Sequence, residues 1–120
     1  MRAYDTDLSQ LLEHLAARHA CKQSELTLAH FDVDGVRGAV MFSSNAHQAF
    51  RVVKGELLAV IARTFNDWIL EYCAHAPDRL KVVTIADVDD IDDGIAEMER
   101  TVTRGAASVM LPILPLPGRR

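Results

Sequence analysis

The stretch ELLAVIARTFNDWILEYCAHAPDRLKVVTI, residues 56–85, decides the fold. From Glu56 to Ala74 it places Leu57, Leu58, Ile61, Phe65, Trp68, Ile69 and Tyr72 on one helical stripe, with Arg63, Asn66, Asp67 and Glu71 off it. The stripe predicts that Trp68 is core. Pro77 and Asp78 stop the helix. Leu80 to Ile85 then follows as a nearly unbroken apolar run, the pattern of a strand covered on both faces. A long amphipathic helix feeding such a strand is half of a parallel crossover, since parallel neighbours cannot be joined by a tight turn.

The same alternation continues on both sides. Towards the C-terminus, the acidic run Asp87 to Asp90 suits the positive end of a helix dipole. The helix it opens carries Ile91, Ile95, Met98 and Val102 on one face, with Gly105 as C-cap. Ala107 to Leu111 reads as a further buried strand, and the proline-rich tail 113–120 as extended coil. Towards the N-terminus, Val36 to Phe42 reads as a strand broken at Ser43-Ser44-Asn45. Ser24 is a plausible N-cap for a short helix with Leu28 and Phe31 inward and Gly35 at its end. Before it, Leu8, Leu11, Leu12, Leu15 and Ala16 lie at helical spacing from a cap at Thr6 or Asp7 to about Cys21. The order is α-α-β-α-β-α-β: an α/β chain with three parallel strands and right-handed crossovers. It divides into a helical segment at residues 1–23, an α/β body at 24–112 and the tail at 113–120. Three parallel strands leave two open edges, so self-association is expected.

A length of 120 residues fits one domain, able to bury roughly 65% of its unfolded surface. A net charge of −4, with Lys and Arg dispersed, gives no footprint for nucleic acid or an anionic membrane. No apolar stretch is long enough to span a bilayer, and no signal peptide is visible. Cys21 and Cys73 have no CxxC or CxxH neighbour, which disfavours structural zinc and fits two reduced, buried thiols in a cytoplasmic protein.

Few motifs carry chemistry. Phe31-Asp32-Val33-Asp34-Gly35-Val36 has the Asp-x-Asp-Gly of haloacid-dehalogenase-like phosphatases, and with His30 resembles the manganese motif of the Asp-His-His phosphoesterases. Both families place a buried strand upstream, whereas Ser24 to His30 reads as a capped helix. A phosphatase using Asp32 and Asp34 is therefore an alternative, and a helix end with solvated carboxylates the plainer reading. Asp87 to Gly94 fails as an EF-hand loop, since anchoring Gly94 at position 6 puts Ile91 at position 3 and Arg100 at position 12. Among five histidines no HxH or HExxH pair occurs, so no metal ligand set is assigned. The residues that follow strands are the pocket candidates: Ser43, Asn45 and His47, then Asp87, then Pro112. No catalytic residue is assigned.

Several blocks resemble the amidohydrolase-related proteins, metal-dependent barrel hydrolases and decarboxylases that include aminocarboxymuconate-semialdehyde decarboxylase. The segment Ser24 to Val36 followed by the strand to Phe42 is similar to that family's helix, Asp-x-Asp-Gly-Val and strand. Asn66-Asp67-Trp68 with Pro77-Asp78-Arg79 is similar to its Arg-x-x-Asn-Asp-Trp helix and Pro-Asp-Arg turn, the most specific part of the likeness. Ile95 to Arg100 and Gly105 to Pro112 match the next helix and strand. The resemblance spans roughly Ser24 to Gly118 and implies a partial (β/α) TIM barrel holding strands two to four. In the family a divalent metal, usually zinc, serves hydrolysis or decarboxylation of a small molecule, through ligands after strands one, five, six and eight. Those positions fall outside the matched blocks, so the resemblance implies an amidohydrolase-type fragment, truncated or remnant, holding no cofactor and inactive alone. The alternative from another class is a self-associating α/β binding or assembly module.

Overall fold

The computed structural model describes residues 23–52 and 55–112. Helix α1 (residues 23–34) leads into strand β1 (Ala39–Met41). A single 3₁₀ turn (Ala46–Gln48) and the short α2 (Ala49–Val52) follow. Then come α3 (Glu56–Ala74), β2 (Leu80–Ile85), α4 (Ile91–Thr103) and β3 (Ser108–Met110). The three strands form a parallel sheet in the order β1-β2-β3, with Ala39 opposite Leu80 and Val83 opposite Ser108. The α/β class, the parallel sheet and the boundaries of α3 and β2 match the sequence reading. The predicted helix from Thr6 or Asp7 to about Cys21, that cysteine included, and the tail at 113–120 lie outside the described residues.

Strand β2 has neighbours on both sides and is buried at every position except Lys81. Leu80, Val82 and Thr84 share one face, because side chains alternate along a strand. Leu80 and Val82 pack with Ile69, Leu70, Tyr72 and Cys73 of α3, joined by Leu28 and Phe31 of α1 and by Met41. Thr84 meets Thr101 of α4 through a 3.2 Å hydroxyl bond. Helices α1, α3 and α4 thus cover the same face. At the C-terminal end of β2, Ile85 is enclosed by Phe50, Leu58 and Ala62, with Ala46, Ala49 and Met110 around them.

Strand β1 is shorter than the predicted Val36 to Phe42 because a side chain claims the backbone before it. Arg79 donates from Nε to the Arg37 carbonyl at 2.9 Å and from Nη2 to the Val36 carbonyl at 3.1 Å. Gly38 must pass directly over the Arg79 carbonyl, where any Cβ would collide with it.

Three expectations are corrected. Trp68 is 43% exposed, stacked between Phe65 and Tyr72 at centroid distances of 6.2 and 5.4 Å. The buried line of α3 instead runs Leu58, Ala62, Asn66, Ile69, Cys73, so Asn66 is in the core. Ile91, Ile95 and Val102 of α4 face outward, and the buried residues of that helix are Gly94 and Thr101. Lastly, Ser24 is no N-cap: Gln23 is already helical and Ser24 is fully buried.

Candidate functional site

Parallel α/β sheets gather their functional loops at the C-terminal ends of the strands. Two such loops lie within the described residues, after β1 and after β2.

After β1, Ser43 is buried and His47 half-buried. The Nδ1 of His47 lies 3.0 Å from the Ser43 carbonyl oxygen and 3.5 Å from Ser43 Oγ. A carbonyl only accepts, so Nδ1 carries the proton and cannot take one from the hydroxyl. Nε2 is then the lone-pair nitrogen, and it accepts from the Gln48 amide at 3.1 Å. The pair is a folded loop anchor, without the geometry of a serine nucleophile and its base. Asn45 is the N-cap of the 3₁₀ turn, where its carbonyl accepts from Gln48 N at 3.0 Å while its side chain makes no capping bond.

After β2, Asp87 accepts from Asp89 N at 2.9 Å. Asp90 caps α4 by accepting from Asp92 N and Asp93 N at 3.0 and 3.1 Å. Gly94 sits against the Asp87 carbonyl, too close for any Cβ. The acidic run is therefore a set of turns that seat the helix. Asp87 also borders a groove of about 580 Å³ between α3 and α4, lined by Glu56, Arg63, Asp93, Glu97 and Arg100 as well. Pro112 lies half-buried beyond β3. The structure brings Ser43, Asn45 and His47 into one loop, while Asp87 joins the α3–α4 groove.

Below that groove lies a cluster that pattern reading missed. Asn66 Oδ1 accepts from Ile85 N at 2.8 Å, and its Nδ2 donates to Ile85 O at 2.7 Å and to Glu97 Oε1 at 2.9 Å. The side chain thus occupies both backbone groups at the end of β2, as a neighbouring strand would. Glu97 in turn takes two 2.7 Å bonds from Arg100, whose third donor reaches Asp67 at 2.7 Å. Arg104 pairs with Asp67 as well. Burial pushes the Glu97 carboxyl up, but bonds from Arg100 and Asn66 and the charge of Arg63 bring it below the ordinary carboxylate value. Asp67 behaves likewise: burial raises it, and Arg100 and Arg104 lower it further than that. Both stay ionised at neutral pH, so neither is poised to exchange protons there. The Asn66-Asp67 pair was visible as the most specific block of the resemblance; its burial was not, because Asn beside Asp reads as a polar face.

The Asp-x-Asp-Gly residues lie at the opposite, N-terminal end of the sheet. Asp32 and Asp34 are in the last turn of α1, and Asp32 pairs with Arg79 at 2.8 Å. Cys73 is buried and free, its thiol pushed up to about 11 by burial, which suits packing and not nucleophilic attack. Among the described residues, no three His, Cys, Asp or Glu side chains come together as a ligand set. Among those residues His30, His47 and His75 lie on separate elements. No helix among them is long and apolar enough to cross a membrane.

Comparison with known proteins finds no family model that matches this chain and no curated protein similar to it.

Proposed function

We propose that this chain is a scaffold of the amidohydrolase-related barrel type: it contributes consecutive β/α units and pocket-side loops, and it performs no catalysis alone. The observation that carries the reading is the sheet itself, three parallel strands in sequence order with α1, α3 and α4 on one face. That is the layout of successive units of a (β/α) barrel, where each helix covers the seam between neighbouring strands. The charged residues beside the groove support it too. Arg100 and Arg104 balance Glu97 and Asp67 in a fixed network, which holds two helices together and engages both carboxylates. In such a scaffold Ser43, Asn45, His47, Asp87 and Pro112 would border a small-molecule pocket completed by other strands, and hydrolysis or decarboxylation would depend on ligands those strands bring.

The test is metal content and turnover of the purified chain. After dialysis, well under one zinc or manganese ion per chain is expected, with no metal-dependent hydrolysis or decarboxylation. One tightly held ion per chain together with turnover would overturn the scaffold reading. The family relationship is tested separately by the nucleotide sequence on both sides of the reading frame. Coding remnants of the ligand-bearing strands are expected there, and flanks without any would contradict it.

A further inference from the structure

An aspartate precedes a glycine twice in this chain, at Asp34-Gly35 and at Asp93-Gly94. At such a step the main chain can attack its own side chain. The amide nitrogen after the aspartate reaches Cγ and closes a five-membered succinimide, and a following glycine has no Cβ to hinder the approach. The two steps share this chemistry, so their surroundings decide which of them reacts.

Asp93-Gly94 is locked in the first turn of α4. There the Asp90 carboxylate accepts from Asp93 N at 3.1 Å, and Gly94 N donates to the Asp90 carbonyl at 3.0 Å. Gly94 is buried, with its backbone pressed against the Asp87 carbonyl. Swinging Gly94 N onto Asp93 Cγ would unmake the start of a 13-residue helix and its cap. Asp34-Gly35 is open by comparison. Asp34 is exposed as the last residue of α1, and Gly35 follows outside the helix with φ at 72°. No atom lies within 4 Å of the place a Cβ on Gly35 would take. Asp32 is held by Arg79 at 2.8 Å, whereas the Asp34 carboxylate meets no partner among the described residues. Turning the peptide there disturbs only the closing turn of α1, where Val36 N donates to the Phe31 carbonyl at 2.8 Å. Helix ends of this kind open locally at little cost.

We propose that Asp34 is a site of spontaneous main-chain modification, isomerising to isoaspartate through a succinimide, while the fold protects Asp93. In the first step Gly35 N bonds to Asp34 Cγ, the Cγ–O bond breaks, and the amide proton leaves with the carboxyl OH as water. In the second, water adds at the main-chain carbonyl carbon of Asp34 and the bond from that carbon to Gly35 N breaks. The chain then runs through Cγ and carries a free α-carboxylate. Water is released and taken up again, so no oxidant or other reactant is consumed. The product has one more main-chain carbon between α1 and β1. It lies just before the Val36 and Arg37 carbonyls, which Arg79 holds at 3.1 and 2.9 Å. The modification goes beyond the scaffold role and does not depend on it.

Peptide mapping of the aged full chain tests it. The folded protein is kept at neutral pH and body temperature and then cut with trypsin. Electron-transfer fragmentation tells each isoaspartyl peptide from the unmodified peptide of equal mass. Residues 23–37 carry Asp34, and residues 82–100 carry Asp93. Isoaspartate is expected to accumulate at least about tenfold faster at Asp34 than at Asp93, a factor that a modest local opening cost at the start of α4 supplies. In urea the two rates are expected to converge. Asp34→Glu, which keeps the charge at an exposed position, is expected to abolish the signal in the first peptide. Equal rates in the folded chain, or a faster rate at Asp93, overturn the proposal. So does an Asp34 that stays intact in the folded chain while the urea-unfolded chain reacts, and so does a tenfold ratio that persists in urea.

Discussion

Helices α3 and α4 look alike as sequences and are used in opposite ways. Both are amphipathic, and both follow a loop at the C-terminal end of a strand. Yet α3 lays Leu58, Ala62, Ile69 and Cys73 on the sheet, whereas α4 sets Thr101 against β2 and Gly94 against the loop that follows it, and turns three large aliphatic side chains outward. An apolar stripe shows which face of a helix must leave water; it does not name the surface that removes it. A helix between two neighbours buries a broad arc. A helix at the end of a layer can turn its most apolar arc away from its own core, and can meet its own unit through a glycine and one hydroxyl pair. The contrast separates what holds this unit together from what it offers outward.

The largest effect that could break this contrast lies within α3. Leu58→Ala removes a fully buried side chain beside Ile85 and is expected to cost about 2–5 kcal/mol in chemical denaturation. Trp68→Ala, despite removing a larger side chain, is expected to cost less, about 1–2 kcal/mol, because Trp68 is 43% exposed and gives up mainly ring contacts. If the tryptophan variant were the less stable of the two, the buried line of α3 would be the one the sequence stripe suggested.

Next in size is Asn66, the polar residue inside that line. Asn66→Ala leaves Ile85 N and O unpaired in a buried place, and an expected loss of about 2–4 kcal/mol follows from desolvation without a partner. Asn66→Asp sharpens the point: it keeps the acceptor for Ile85 N but sets a carboxylate against Ile85 O and Glu97, so equilibrium unfolding should find it no better than alanine. A neutral outcome for both would mean that the end of β2 needs no clamp.

The smallest effect concerns the ion network joining α3 to α4. Glu97 and Asp67 both titrate below their ordinary values of 4.5 and 3.8 when folded. Carboxyls lowered by folding stabilise the native state above those ordinary values, and that contribution is lost as pH falls through the lower folded values. Denaturation midpoints measured from pH 6 down to about 2.5 should therefore drop in the acid range. In Arg100→Gln the drop should be shallower and the starting stability lower. Asp67 is 40% exposed, so solvent screening keeps its share small. Equal slopes for parent and variant would remove the network from the account.

Much of the fold was legible because local signals agreed. Pro77, the apolar run to Ile85, and Asp90 with its acidic followers fixed the limits of α3, β2 and α4 to within a residue or two. Legibility failed where a distant group intervened. Val36 to Gly38 could not read as loop, because the Arg79 side chain that takes their carbonyls comes from far along the chain. The turn and short helix at residues 46–52 went unread because Ala46 to Val52 has too little periodicity to stand out. Asn66 looked like surface, since only the end of β2 gives its amide two backbone partners. Of the candidate site residues, the loop after β1 could be grouped by proximity in sequence. The separation of Asp87 into a groove with Arg63, Glu97 and Arg100 could not, because it depends on how α4 crosses α3.

The claim that α4 turns its apolar stripe away from its own core meets its most direct test in two matched substitutions, Ile69→Asn and Ile95→Asn, melted side by side at low protein concentration. Ile69 is buried against β2 and Ile95 is half-exposed on the outer arc of α4. The account predicts that Ile69→Asn lacks a cooperative transition, whereas Ile95→Asn melts within a few degrees of the parent, the shift of an exposed site costing about 0.5 kcal/mol or less. Equal collapse of both variants would show that Ile95 packs inward, and would contradict it.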